Sequence, residues 1–206
     1  KNDNWILKNI NLEIKKGSTV AIKGPTGCGK STLGSIIIGL LDPTKGQLFV
    51  DDILINFQNK TAWQKNISII PQSIFLNDVS IAENIAIGVD PKKINLEKVK
   101  NVARQAQIAD FIESIPSQYE EKVGERGIRL SGGQRQRIGI ARALYREAKI
   151  ILFDEATNQL DTDTESLVMQ SINNLNKEIT IIFIAHRLST LKNCDQIVDF
   201  AKFLER

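Results

Sequence analysis

The feature that most constrains the fold is a glycine-rich turn between a strand pattern and a helix pattern. Residues 19–23 read as a short apolar strand, and a helix with one apolar face begins at Lys30. The turn between them has glycine at positions 24 and 29, and Lys30 and Ser31 follow it. A strand, this glycine spacing and a helix, in that order, are the context of a phosphate-binding loop. We therefore expect a strand that leads directly into the N-terminus of a helix.

The chemistry of this phosphate loop, residues 24–31, follows from its residue types. Glycine lets backbone N–H groups turn inward with no side chain in the way. The helix N-terminus adds unpaired donors and the positive end of its dipole. Lys30 can then reach the β- and γ-phosphates of a nucleotide, while the Ser31 hydroxyl coordinates Mg²⁺. The predicted phosphate-binding residues are Gly24, Pro25, Thr26, Gly27, Cys28, Gly29, Lys30 and Ser31.

The composition is that of an ordinary globular domain. At 206 residues, with 42% apolar and 25% charged residues, the chain is expected to form one domain with a substantial core. The net charge of +3 is too small to indicate nucleic-acid binding. No apolar run reaches the ~20 residues that cross a bilayer, so we expect no transmembrane domain in this chain. Two cysteines, Cys28 and Cys194, make no disulfide framework and indicate a reducing, cytosolic environment.

The start at Lys1, without Met or a signal segment, favours a piece of a longer protein.

Strands are predicted at residues 10–14, 19–23, 47–50, 67–70, 149–153, 180–184 and 196–198, and helices are predicted to begin at Lys30, Ser80, Leu96, Ser131 and Asp161. Their alternation predicts an α/β sheet domain. Residues 73–146 contain helix patterns and no convincing strand. We expect a sheet core from residues 1–72 and 147–206, with residues 73–146 as an inserted helical subdomain.

Two carboxylates follow an apolar strand pattern. The strand predicted at residues 149–153 ends in Asp154 and Glu155. Ligands of open α/β sheets bind beyond the carboxyl ends of the strands, which is where these acids lie. Alone, such a pair could equally be solvated loop residues. With the phosphate loop in the same chain, we predict that Asp154 holds Mg²⁺ through water and that Glu155 polarises the water that attacks the γ-phosphate.

The segment Leu-Ser-Gly-Gly-Gln at residues 130–134, here named the signature segment, predicts a second anion site. Ser131 and Gln134 have the spacing of a capping box at a helix start. That local interpretation does not explain Gly132 and Gly133, which cost the first turn roughly 1 kcal/mol each relative to alanine. Two glycines leave the backbone bare, so that a phosphate can approach the helix N-terminus.

Together, the phosphate loop and the signature segment resemble the nucleotide-binding domain of ABC (ATP-binding cassette) transporters. Residues 83–88 and 123–127, Glu-Asn-Ile-Ala-Ile-Gly and Val-Gly-Glu-Arg-Gly, are similar to exporters in which six membrane helices precede the ATPase. The resemblance implies a P-loop NTPase sheet core (RecA-like) with an inserted helical subdomain and an N-terminal β-rich edge. It also implies an ATPase that powers substrate translocation across a membrane, with ATP closing a dimer and hydrolysis opening it.

The resemblance implies further roles for individual residues. Thr32 would touch the α-phosphate, and Gln72 would touch Mg²⁺ and relay to the membrane domain. His186 would contact the γ-phosphate and orient the attacking water together with Glu155. The implied catalytic residues are Glu155, His186 and Lys30; the implied metal ligands are Ser31, Gln72 and Asp154; the residues that face a partner's nucleotide are Ser131, Gly132, Gly133 and Gln134.

The implied partners are a second nucleotide-binding domain, in a head-to-tail homodimer around two ATP molecules, and the membrane domain of a transporter. Nucleic acid is not an expected partner. The implied location is the cytoplasmic face of a membrane, the inner membrane if the cell is bacterial. The transported substrate is not specified by any motif. Two alternatives remain: a soluble ABC ATPase acting on DNA or ribosomes, and the separate ATPase subunit of an importer.

This sequence departs from the family pattern in three places. Asp161 matches the loop used for cross-talk between the two sites, but Asn158 and Gln159 replace the usual Ser-Ala. The aromatic residue that stacks on adenine would lie before residue 1, and Trp5 is more readily explained as a partly exposed edge residue than as its substitute. Residues 195–206 lack the usual glycine turn and following strand, so this end is atypical or truncated.

Overall fold

The computed structural model describes residues 5–155, 162–173, 178–184 and 194–200. Helices and strands are numbered in chain order. The strands are β1 Thr19–Lys23, β2 Phe49–Val50, β3 Ile53–Leu54, β4 Ile67–Ile70, β5 Ile150–Asp154, β6 Thr180–Ile184 and β7 Gln196–Asp199. The helices are α1 Lys30–Ile37, α2 Lys60–Gln64, α3 Ile81–Ile85, α4 Leu96–Gln105, α5 Ala109–Ser114, α6 Gly132–Tyr145 and α7 Thr162–Asn173. Short 3₁₀ turns lie at Pro91–Lys93, Gln118–Glu120 and Glu125–Gly127.

A five-stranded sheet is the larger of the two sheets in the described structure. Its strand order is β4-β5-β6-β1-β7. Strand β1 pairs in parallel with β6 and β7, and β5 pairs in parallel with β6. Strands β1, β5 and β6 are apolar along most of their length because both of their faces are buried, with Val20, Ile151 and Ile182 at most 1% exposed. The α/β fold class predicted from the sequence is confirmed.

The first strand pattern of the sequence forms no strand. Residues 10–14 pair with no neighbour in the described structure, so the strand predicted there is wrong. The alternation itself still has a structural meaning, because Ile10, Leu12 and Ile14 are partly buried against the core cluster around Val20 and Ile22. Alternate apolar residues report a buried face, whereas a strand also needs a neighbouring edge to pair with. Strands β2 and β3 form a second, separate antiparallel sheet.

The described residues divide into two compact units. The first unit comprises residues 5–69, 149–155, 178–184 and 194–200, and the second comprises residues 70–148 and 162–173. Within the first unit, α2 is attached to the end of α1, because Trp63 Nε1 donates to the Ile37 carbonyl at 2.8 Å. The regular structure described in the second unit is helical, apart from Ile70 at the end of β4 and an isolated bridge between Ser80 and Lys122.

The helices of the second unit begin where their sequences place polar caps. Ser80 caps α3 and Asn95 caps α4, each by accepting a hydrogen bond from the third helical N–H. Such caps satisfy donors that the helix cannot satisfy itself. The predicted helix starts at Ser80 and Leu96 are confirmed, whereas Asp161 lies outside the described residues. Among the described helices, none is long and apolar enough to cross a membrane.

Candidate nucleotide-binding site

The phosphate loop connects β1 to α1 in a backbone shape that requires glycine. Gly27 and Gly29 have φ angles of 80° and 97°, in the left-handed region that L-residues with a Cβ avoid. Gly24 is restricted by its neighbours instead, since a Cβ there would lie 2.7 Å from Phe200 Cβ and 2.9 Å from Cys28 Sγ. At Gly29 a Cβ would also lie 2.7 Å from Leu7 Cδ2. Packing from distant parts of the chain therefore fixes both ends of the loop.

The N-terminus of α1 is shaped to receive an anion. Its cap residue is Gly29, no described side chain caps the helix, and its first turn contains no acidic residue. The first N–H groups of a helix lack intrahelical partners and carry the positive end of the dipole. Helices α3 and α6 satisfy such donors with capping boxes. At α1 the donors are left for a ligand, which fits the phosphates of ATP.

Lys30 supplies a buried positive charge at this loop. The residue is 5% exposed. Its Nζ donates to the carbonyls of Gly24 at 2.9 Å and Pro25 at 2.8 Å, and it lies 3.9 Å from Cys28 Sγ. A buried ammonium group requires such partners. The loop thus folds around the lysine side chain and holds its charge at the start of α1.

Asp154 ends β5 and lies beside Glu155. Burial raises the pKa of the Asp154 carboxyl above its ordinary value, and the charge of Glu155 raises it further, whereas Lys30 lowers it. In the part of the chain that is described, no group of three or more His, Cys, Asp or Glu side chains could hold a metal.

Glu155 has an unusual backbone conformation for its residue type. Its φ is 51°, in the left-handed region, which costs a non-glycine residue about 1–2 kcal/mol. Its N–H donates to the Ile184 carbonyl at 3.0 Å, so the turn after β5 is fixed to the end of β6. Strained residues of this kind concentrate at functional sites. The sequence carries no signal for this conformation.

The signature segment forms the predicted capping box. Ser131 Oγ accepts from the Gln134 N–H at 3.2 Å, and Gln134 Oε1 accepts from the Ser131 N–H at 2.8 Å. Arg135 Nη1 donates to the Leu130 carbonyl at 2.6 Å. Gly132 is exposed and Gly133 is buried. These residues belong to the second unit, as does Gln72, and their proposed contacts with nucleotides remain predictions.

The structure does not place every residue that was singled out in the sequence. His186, Asp161, Asn158 and Gln159 lie outside the described residues. Trp5 is 40% exposed and has Lys45 Nζ 5.1 Å from its ring centroid. This contact agrees with an edge position and leaves the adenine-stacking residue unassigned. Sequence reasoning overlooked Gln136, a buried glutamine of α6, because glutamine in a helix is usually a solvated residue.

A glycine-rich loop connects a parallel strand to an uncapped helix, and it holds a buried lysine near the acid that ends another strand. These features define the class of P-loop nucleotide-binding proteins. Comparison with known proteins narrows this class. The family model described as ABC transporter matches residues 7–158. The chain belongs to the ABC transporter family, and within it to the ATP-hydrolysing domains.

Individual relatives agree with the resemblance to exporters. The chain is 45% identical to ATP-binding cassette sub-family B member 5 of Mus musculus, over 94% of this chain and 15% of that protein. It is 39% identical to an ATP-dependent lipid A-core flippase of Idiomarina loihiensis, over 100% of this chain and 36% of that protein. A solved structure, a bacterial Atm1-family ABC exporter with ATP bound, superposes with a TM-score of 0.84 at 40% identity, over 97% of this chain and 35% of that one.

The resemblance stated from the sequence is thus confirmed, and these relatives do not favour the soluble or importer alternatives. The chain spans only about a seventh to a third of the length of the relatives it matches. Transport itself is therefore an activity of proteins much longer than this chain.

Proposed function

We propose that this chain binds Mg·ATP and hydrolyses it to drive an exporter. The observation that carries the proposal is the start of α1, where uncapped N–H groups and buried Lys30 converge on the phosphate loop. The first turn of α1 contains no acidic side chain. The three phosphates of ATP would therefore supply the negative charge that this helix start and Lys30 attract. The exporter assignment is supported by relatives of that kind over nearly the whole chain.

In the proposed reaction, the loop and Lys30 bind the β- and γ-phosphates and Thr32 contacts the α-phosphate. Ser31, Gln72 and, through water, Asp154 would hold Mg²⁺, which would neutralise charge on the phosphates. Glu155 accepts a proton from water as the water oxygen bonds to the γ-phosphorus. The bond from that phosphorus to the bridging oxygen breaks, which gives ADP and inorganic phosphate. His186 orients the same water and contacts the γ-phosphate.

The proposed partners are a second copy of this chain and the membrane domain of an exporter. In a head-to-tail homodimer, Ser131, Gly132, Gly133 and Gln134 of one copy face the nucleotide held by Lys30 of the other. ATP then favours the closed dimer and hydrolysis releases it. The working location is the cytoplasmic face of a membrane, the inner membrane in a bacterium. We further propose residues 1–72 and 147–206 as the sheet core and residues 73–146 as the helical subdomain.

The variant Glu155→Gln tests the proposed chemistry. Removing a general base lowers turnover by about 10²–10⁴-fold, so steady-state phosphate release is expected to fall by at least about a hundredfold. Binding of a fluorescent ATP analogue is expected to persist, because the phosphate loop is unchanged. Gel filtration with ATP is expected to show a trapped dimer.

The matched control is Glu97→Gln, the same substitution at an exposed residue of α4 that pairs with Lys100. This control is expected to keep full turnover. Unchanged phosphate release in Glu155→Gln would remove Glu155 as the base. A wild-type chain that binds ATP but never hydrolyses it would reject the proposed function itself.

A further inference from the structure

Helix α6, which begins directly after Ser131, contacts the residues around Gln72 along one stripe. The stripe consists of Gln136, Gly139 and Arg142, which are spaced by three and therefore lie on neighbouring turns of one side of the helix. Each of the three contacts residues 70–75, here named the Gln72 segment. The stripe and the segment both belong to the second unit.

Gln136 makes the contact nearest to the signature segment. It is 5% exposed, and its Nε2 donates to the carbonyls of Gln72 at 3.1 Å and Pro71 at 3.4 Å. A buried amide is costly unless it is hydrogen-bonded, and so are buried carbonyls. A glutamine at this position therefore serves the backbone of the Gln72 segment, since an apolar side chain of the same size would donate to neither carbonyl.

The other two residues of the stripe hold the rest of the segment. A Cβ at Gly139 would lie 2.8 Å from Ile74 Cδ1, so the helix and the segment approach as closely as a glycine permits. Arg142 Nε donates to the Asn84 carbonyl at 2.9 Å, and its Nη1 donates to the Phe75 carbonyl at 3.3 Å. The Gln72 segment is thus attached to α6 at both of its ends.

We propose that Gln136 is a positioning residue that ties the backbone of Gln72 to the helix of the signature segment. This inference rests on the proposed function, in which Gln72 reaches Mg²⁺ and Ser131 reaches the partner's nucleotide. Ser131 and Gln136 are five residues apart, about 7.5 Å along the helix axis. A displacement of Gln72 at one nucleotide then moves Ser131 at the other, and the two sites of a dimer respond together.

The first test compares Gln136→Met with the wild-type chain. Methionine has nearly the same length but donates no hydrogen bond to the two carbonyls. The kcat of ATP hydrolysis is expected to fall by about tenfold, because small displacements of groups around a reacting centre cost on the order of ten- to a hundredfold in rate. The Mg²⁺ concentration for half-maximal turnover is expected to rise several-fold, while Mg²⁺-free binding of a fluorescent ATP analogue stays unchanged. Gln136→Glu, whose carboxylate would face the same carbonyls, is expected to lose more activity.

The control is Tyr145→Phe, at the other end of the same helix. Tyr145 is 9% exposed, and its hydroxyl accepts a hydrogen bond from the Asn95 N–H at 3.2 Å. This variant loses a comparable buried hydrogen bond that does not involve the Gln72 segment. Its melting temperature is expected to fall like that of Gln136→Met, with unchanged kcat and Mg²⁺ dependence. If Gln136→Met does not fold, Gln136→Asn, which is one methylene shorter, is expected to show a smaller change in the same direction.

A double-mutant cycle with Gln72→Ala separates positioning from general stabilisation. If Gln136 acts through Gln72, adding Gln136→Met to Gln72→Ala is expected to change kcat less than twofold, because coupled residues are not additive. Fully additive losses would overturn the inference, as would a folded Gln136→Met with wild-type kcat and Mg²⁺ dependence. A wild-type chain without ATP hydrolysis would reject the proposed function, and the inference with it.

Discussion

Two glycines with similar backbone conformations, one inside the phosphate loop and one outside it, allow a matched comparison. Gly27 lies in the phosphate loop and Gly46 in the loop between α1 and β2. Their φ angles are 80° and 87°, and a Cβ on either residue would meet no atom within 4 Å. They are therefore matched in backbone strain and in free space. They differ in that only Gly27 lies where phosphates are expected.

Substituting these glycines by alanine separates backbone strain from ligand exclusion. Gly27→Ala and Gly46→Ala are each expected to lower the free energy of unfolding by about 1–2 kcal/mol, because alanine disfavours positive φ. Only Gly27→Ala is expected to weaken ATP binding as well, since its methyl group enters the space beside the loop. Urea unfolding and titration with a fluorescent ATP analogue measure the two effects. Equal ATP affinity in both variants would mean that the phosphates do not approach Gly27.

The types of the site residues could be predicted from the sequence, but their geometry could not. Lys30 and Asp154 follow from a local spacing and a strand end. At position 24 the nearest clash of a Cβ would be with Phe200, far away in the chain, in addition to one with Cys28, and the distant contact has no local signal. The positive φ of Glu155 depends on its bond to Ile184. Such features arise only when the sheet brings distant segments together.

At the scale of elements, α3 and α6 begin with the same device. Ser80 with Glu83, and Ser131 with Gln134, form two capping boxes in the second unit. Hydrogen bonds to Ser80 also lower the pKa of the Glu83 carboxyl, which keeps it ionised at the start of the helix. A local pattern of four residues suffices for such a cap, which is why sequence alone located both helix starts.

Removing either capping hydroxyl distinguishes helix stability from nucleotide contact. Ser80→Ala and Ser131→Ala are each expected to lower the free energy of unfolding by about 1 kcal/mol. Only Ser131→Ala is expected to reduce ATP turnover, because only Ser131 lies in the proposed partner-facing site. Thermal melts and phosphate release measure the two quantities. An equal loss of turnover in both variants would attribute the effect to helix stability alone.

The sequence predicted strands well within the central sheet. It predicted them poorly where strand formation depends on whether a neighbouring strand is available for pairing. The bounds of β1, β4 and β6 agree with the strands predicted at residues 19–23, 67–70 and 180–184. Residues 10–14 alternate just as regularly, yet they only pack against the core. Pairing depends on which sheet edge is within reach, and one strand's own sequence does not contain that information.

At the scale of the whole molecule, the proposed dimer makes each site from two chains. Lys30→Ala is expected to abolish turnover by weakening ATP binding. Ser131→Arg is expected to abolish turnover without weakening ATP binding to a single chain. If the sites are shared head to tail, a mixture of the two variants forms mixed dimers in which one site is complete.

The equimolar mixture is therefore expected to recover at most about a quarter of the wild-type rate, because half of the dimers are mixed and each has one intact site. Phosphate release from the mixture, compared with each variant alone, makes the measurement. A matched mixture of Lys30→Ala with Glu155→Gln is expected to recover nothing, since both residues act on the same chain's nucleotide. Activity no greater than the sum of the two variants would contradict a site shared between chains.

The strand order also affects how the chain is made. Strand β1 is synthesised first, yet Val20 pairs with Ile182 of β6 and Gln196 of β7. At roughly 5–20 residues per second, a ribosome needs on the order of ten to thirty seconds to add these partners. Residues 70–148 can meanwhile assemble from contacts close in sequence. A newly made chain thus carries β1 unpaired until β6 and β7 have been synthesised, and this strand is where we expect chaperones to hold it.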